Sequence, residues 1–238
     1  PLIPTVVNSV ATVLLPAFSK MATNNVNGIR EVWMNALTKT VKIIYPITVY
    51  CIMFASLFML CMYGDQYVES GKYYVLKNIE GFFAVIPFYP ILLALGKTKK
   101  YSNIHLLFAI IIVPMQYAVV KFGDSAYLIA VAYMLCAIGK VFLQFFAVSR
   151  ALRMNYKKLI PFGIMSKVAI VSVLSGVIPL TVTKLFFSLN EYVLLVLSFG
   201  IYILCYYTFC WLFRISYKCI IIQYVGEGKL QKVMRYIP

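Results

Sequence analysis

Long uncharged runs alternate with short charged ones along the whole chain. Leu2 to Ser19 and Ile43 to Gly64 carry no charge, Asn78 to Gly96 carries one acid, and Tyr101 to Val120 one histidine. Ser125 to Ser149 holds Lys140, Leu159 to Thr183 holds Lys167, and Tyr192 to Phe213 is uncharged. A hydrocarbon layer about 30 Å thick is crossed by roughly 20 residues of helix, a geometry that satisfies its own backbone hydrogen bonds in lipid. The pattern predicts seven membrane-spanning helices in an all-α, polytopic bundle. Composition agrees, because 238 residues that are 63% hydrophobic and 12% charged are too apolar for one soluble core.

A net charge of +15 would point to nucleic acid in a soluble protein. Here the cations lie between the spans, so no nucleic-acid partner is expected. Sixteen of the 22 Lys and Arg fall on one side of the predicted topology, four on the other and two inside spans. The positive-inside rule then places the basic tail from Arg214 in the cytoplasm and the N-terminal end outside. Tyr63, Tyr67, Tyr73, Tyr74, Tyr101, Tyr127 and Tyr192 stand at span ends, where an amphipathic ring meets the headgroups. A chain that opens on a proline at the mouth of a span reads as the C-terminal part of something longer.

Catalytic signatures are missing from the sequence. No nucleotide-binding loop, H-E-x-x-H or G-x-S-x-G occurs, and the few acids form no pair for acid and base work. The six cysteines show no C-x-x-C spacing and read as small buried hydrophobes. His105, the one histidine, cannot build a metal site alone and is expected to pack at headgroup level. The expectation is a protein that is not an enzyme and needs no cofactor or metal. Pro46, Pro87, Pro90, Pro114 and Pro179 lie within or at the ends of spans, and "VIPFYPILLALG", with Pro87 and Pro90, predicts the sharpest kink. Bent helices suit a cavity that changes shape; they equally suit static packing.

Three ionisable residues remain inside predicted spans, and a charge at mid-bilayer costs at least ~2.5 kcal/mol. Lys167 lies within two turns of the cytoplasmic end of its span and can snorkel. Glu80, one turn inside the outer end, can reach water or pair with Lys77. Lys140 is ten residues from Arg150, roughly 15 Å of helix, too far for snorkelling. Gly139 before it and Gln144 one turn on make a small, polar stripe, which faces protein or water rather than lipid. Lys140 is therefore read as a cavity cation, with an acid elsewhere in a longer chain as the alternative partner. Such a cation suits an anionic substrate and points to phosphate.

The stretch from Val7 to Phe82, with Pro16 and Ser19, Gly28, Glu31 and Trp33, Pro46, the turn Tyr63, Gly64, Tyr67 and Ser70, and then Leu95, Gly96 and Lys97, resembles polysaccharide transporters of the MATE-like MOP flippase superfamily. The likeness is densest over residues 7–100. It implies the second lobe of a two-lobed, fourteen-helix transporter of the O-antigen or capsule type. Residues 1–149 would supply five helices of that lobe, 150–213 two further helices, and 214–238 a basic cytoplasmic tail lying on anionic headgroups. The resemblance implies a bacterial inner-membrane protein that flips oligosaccharide linked to a polyprenyl pyrophosphate by alternating access. Membrane lipid, the lipid-linked oligosaccharide and polysaccharide polymerase machinery would be its partners. Lys140, with Gln144 and Lys167 as further candidates, would hold the pyrophosphate, and Glu80 would couple or pair. A cation-coupled multidrug exporter and a membrane-embedded polysaccharide polymerase or acyltransferase are the competing readings.

Overall fold

The computed structural model describes residues 2–24, 26–85, 88–123, 125–155, 159–185 and 190–217. Among them every regular element is a helix: α1 (Leu2–Asn24), α2 (Val26–Met53), α3 (Ala55–Tyr63), a 3₁₀ turn (Asp65–Ser70), α4 (Gly71–Ala84), α5 (Tyr89–Ala94), α6 (Thr98–Gly123), α7 (Ala126–Leu152), α8 (Phe162–Leu185) and α9 (Glu191–Leu212). Among the described residues seven segments are long and apolar enough to cross a membrane. The protein is a polytopic helical membrane bundle.

Two predicted loops are helical. The charged stretch from Lys20 to Lys42 runs largely through α2, because Ile29, Trp33, Leu37 and Val41 recur every fourth residue and bury one face. Arg30 and Glu31 stay exposed on another face. The stretch from Asp65 to Lys77, expected as an outer loop, forms the 3₁₀ turn and the start of α4. The stretches long and apolar enough to cross a membrane there are Gly28–Met53 and Asp65–Ala94, set against uncharged or nearly uncharged runs at 43–64 and 78–96. Pro90 does not bend a continuous helix: α4 ends at Ala84, and Pro90 sits buried in the first turn of α5, where its missing N–H is no loss. Pro87 lies outside the described residues, as does the basic tail from Lys218 onward.

Two glycines close helices that other residues could not close as easily. Gly64 ends α3 at φ 89° and ψ 177°, a region essentially reserved for glycine. Gly96 ends α5 at φ 67°, with its N–H donating to the Leu93 carbonyl and that of Lys97 to the Leu92 carbonyl.

The chain divides into two compact units. The first holds residues 1–44 and 72–162. In it α5 packs on α1, α6 and α7, and α6 packs on α7. A file of rings forms the core: Phe18 and Trp33 lie 6.3 Å apart, Trp33 and Phe88 5.8 Å, and Phe88 and Phe145 5.6 Å. Trp33 Nε1–H donates to the Leu159 carbonyl at 3.1 Å, so the indole fills the core and satisfies a buried acceptor. Gly81 of α4 lets Ile3 of α1 close in, since a Cβ there would stand 2.8 Å from Ile3 Cδ1.

The second unit holds residues 45–71 and 163–238. Its core gathers Tyr50, Phe54 and Tyr202, with Met53, Leu57, Leu180 and Leu195 against them. The phenols are satisfied: Tyr50 Oη lies 3.1 Å from the Leu195 carbonyl and 2.9 Å from Ser198 Oγ, and Tyr202 Oη donates to the Pro46 carbonyl at 2.9 Å. Unpaired, each would be costly in lipid. A Cβ at Gly71 would stand 3.1 Å from both N and Cα of Ser56, backbone atoms that cannot swing aside. Gly71→Ala is therefore expected to destabilise the protein by about 1–3 kcal/mol, read as a lower melting temperature of the purified protein in detergent; an unchanged melt would show that the 3₁₀ turn yields freely.

Candidate functional site

The α6–α7 hairpin sits wholly within the first unit, and its two helices touch along their length. Phe108 stands 3.3 Å from where a Gly139 Cβ would be, and Cys136 Sγ lies 3.8 Å from Met115 Sδ. One face of α6 (Leu106, Ile110, Val113, Tyr117) is exposed and apolar, as expected of a lipid-facing surface. On another face His105, Phe108 and Ile112 meet Tyr133, Cys136 and Lys140 of α7 around a cavity of about 130 Å³.

Lys140 is the fifteenth of the 27 residues of α7, so it lies mid-span. It is half-buried and lines this cavity. Among the described residues no carboxylate pairs with it: Glu80 is taken by Lys77 at 2.8 Å. Gln144 follows one turn later and is buried, with Nε2 3.1 Å from His105 Nε2. The amide N–H donates to the imidazole nitrogen. The His105 ring packs on Tyr101 with centroids 4.4 Å apart. Lys140 and His105, to which Gln144 hydrogen-bonds, thus provide an ammonium and an adjustable hydrogen-bonding group beside the Tyr133 phenol and the Cys136 thiol. That set can hold an anion with several acceptor oxygens.

His105 is the functional candidate that sequence reasoning assigned to headgroup packing. A signal was present: 105 and 144 are equidistant from the short connection at 124–125, and residues equidistant from such a turn face each other in an antiparallel pair.

Glu80 forms its ion pair with Lys77 one turn away on α4. With the Lys77 side chain 57% exposed, such a pair contributes about 0–1 kcal/mol. Lys167 belongs to the second unit and is exposed in the second turn of α8. Glu80 thus has the partner that a spacing of three offers, and Lys167 is exposed, whereas Lys140 lines its cavity without a carboxylate partner among the described residues. No group of three or more metal-ligating side chains occurs among the described residues.

Residues 2–72 match a family model described as polysaccharide biosynthesis protein. Over this stretch, α1 through the 3₁₀ turn, the chain is similar to polysaccharide biosynthesis proteins; it includes the core tryptophan Trp33 and the turn glycine Gly64. The matched stretch stops before the α6–α7 hairpin, so the cation cavity stands on geometry alone. No curated protein and no solved structure matches the chain.

Proposed function

We propose that this protein is a flippase that moves oligosaccharide linked to a polyprenyl pyrophosphate from the inner to the outer leaflet for surface polysaccharide assembly. One observation carries the reading: a lysine in the middle of a spanning helix, without a carboxylate partner among the described residues, lines a cavity beside His105, which Gln144 orients. An ammonium held there against a cost of at least ~2.5 kcal/mol needs compensation. A pyrophosphate passing through supplies it. Similarity of residues 2–72 to polysaccharide biosynthesis proteins supports the biological setting. A multidrug exporter would instead want an acid in its cavity, and Glu80 is neutralised by Lys77. The pyrophosphate leaves as it entered, so the residues bind and shield charge without breaking a bond.

Deleting the gene in its native host tests the reading. Lipid-linked oligosaccharide is expected to accumulate in membrane extracts while surface polymer is lost, with both restored by the wild-type gene. Unchanged glycans with new sensitivity to cationic drugs would replace the reading by efflux.

A further inference from the structure

The first unit carries a second and larger cavity, of about 310 Å³. Tyr73, Lys77 and Glu80 of α4, Gln116 of α6 and Tyr133 of α7 line it, and Tyr133 lines the Lys140 cavity as well. Along α7 the combined lining runs from Ala126 to Lys140, fifteen residues or about 21 Å of helix. The two cavities are neighbouring stations on one stripe.

Their chemistry differs. At Lys140 the ammonium has no carboxylate partner among the described residues and calls for an anion. At Tyr133 the charges cancel: Lys77 Nζ lies 2.8 Å from Glu80 Oε2 and 5.6 Å above the centre of the Tyr133 ring. This second cavity has no net charge to attract an ion. What it offers is a carboxylate with spare lone pairs, an ammonium with spare protons, a primary amide that both donates and accepts, and two phenol rings. Carboxylates and amides suit adjacent hydroxyls, and an aromatic face suits the C–H face of a pyranose. Its volume is at the lower end of small-molecule pockets, about 300 Å³, which suits one or two rings rather than a long chain.

We infer that the Tyr73–Glu80–Gln116–Tyr133 cavity is a sugar subsite, which takes the pyranose next to the pyrophosphate while Lys140 holds the phosphates, with Tyr133 at the junction. The inference rests on the flippase reading and adds a glycan-contacting station to it.

The test uses the full chain in lipid nanodiscs and two radiolabelled probes: polyprenyl pyrophosphate without sugar, and lipid-linked oligosaccharide extracted from membranes of the native host. Wild type is expected to bind the glycan-bearing lipid more tightly. Tyr73→Leu and Gln116→Leu, on separate helices, should each weaken binding of that lipid about fivefold, as for a lost stack or hydrogen bond, and leave the sugar-free probe within about twofold. Lys140→Gln should weaken both probes alike. Melting curves identify a variant that fails to fold, and the other variant then decides. Equal effects of Tyr73→Leu and Gln116→Leu on the two probes, or equal wild-type affinity for both, would overturn the subsite while leaving the flippase reading intact. A wild type that binds neither probe would overturn both.

Discussion

Lys140→Gln is expected to lower export of surface polysaccharide by about tenfold or more while leaving the amount of protein in the membrane unchanged. A hydrogen bond to a charged group contributes about 1.5–3 kcal/mol, and each 1.4 kcal/mol is tenfold in affinity. Glutamine keeps a polar side chain, one atom shorter, but removes the charge that faces the cavity. Lys140→Arg, which keeps the charge and gains a planar fork for phosphate oxygens, should retain more export than Lys140→Gln. The readout is complementation of the deletion strain, with surface polymer and lipid-linked oligosaccharide measured together. Equal export by all three forms would reduce Lys140 to a packing residue.

Trp33→Ala should be among the most damaging single changes to stability. The indole is 1% exposed, stands between Phe18 and Phe88, and holds the Leu159 carbonyl. Removing a buried tryptophan costs about 3–5 kcal/mol, and here it also leaves a buried carbonyl unpaired. Trp33→Phe keeps most ring contacts and loses the hydrogen bond, so it should cost about 1 kcal/mol. Thermal melting in detergent and folded yield report both. A Trp33→Ala protein that melts with wild type would mean that residues 1–44 contribute little to the first unit.

The spans were legible where apolar residues are continuous, since in lipid a helix can be apolar on every side. They were misjudged where a helix is two-faced. Scanning for absence of charge passes over the run Ile29, Trp33, Leu37, Val41, because Arg30, Glu31 and Lys39 interrupt it while lying off its buried face. The same scan placed Asp65 to Lys77 in a loop. The Lys77–Glu80 pair could be read from a spacing of three, since that contact is set by helix geometry alone. Lys140 could be read from its depth. His105 could not be read from its own neighbours: its role comes from Gln144, 39 residues on, and needs the pairing of α6 with α7. Pro90 signalled a break, but a bend within one helix and a stop between two helices leave the same proline in the sequence.

The distribution of thiols has a practical consequence. Of the five described cysteines, Cys51, Cys61, Cys205 and Cys210 belong to the second unit, and Cys136 alone to the first. Cys136 also lies in the wall it shares with Lys140 and His105. Replacing the other five cysteines, Cys219 included, would leave a single native alkylation reporter beside the cation. Its reaction rate with a membrane-impermeant maleimide, applied first to one face of sealed vesicles and then to the other, would time when the cavity meets water and from which side.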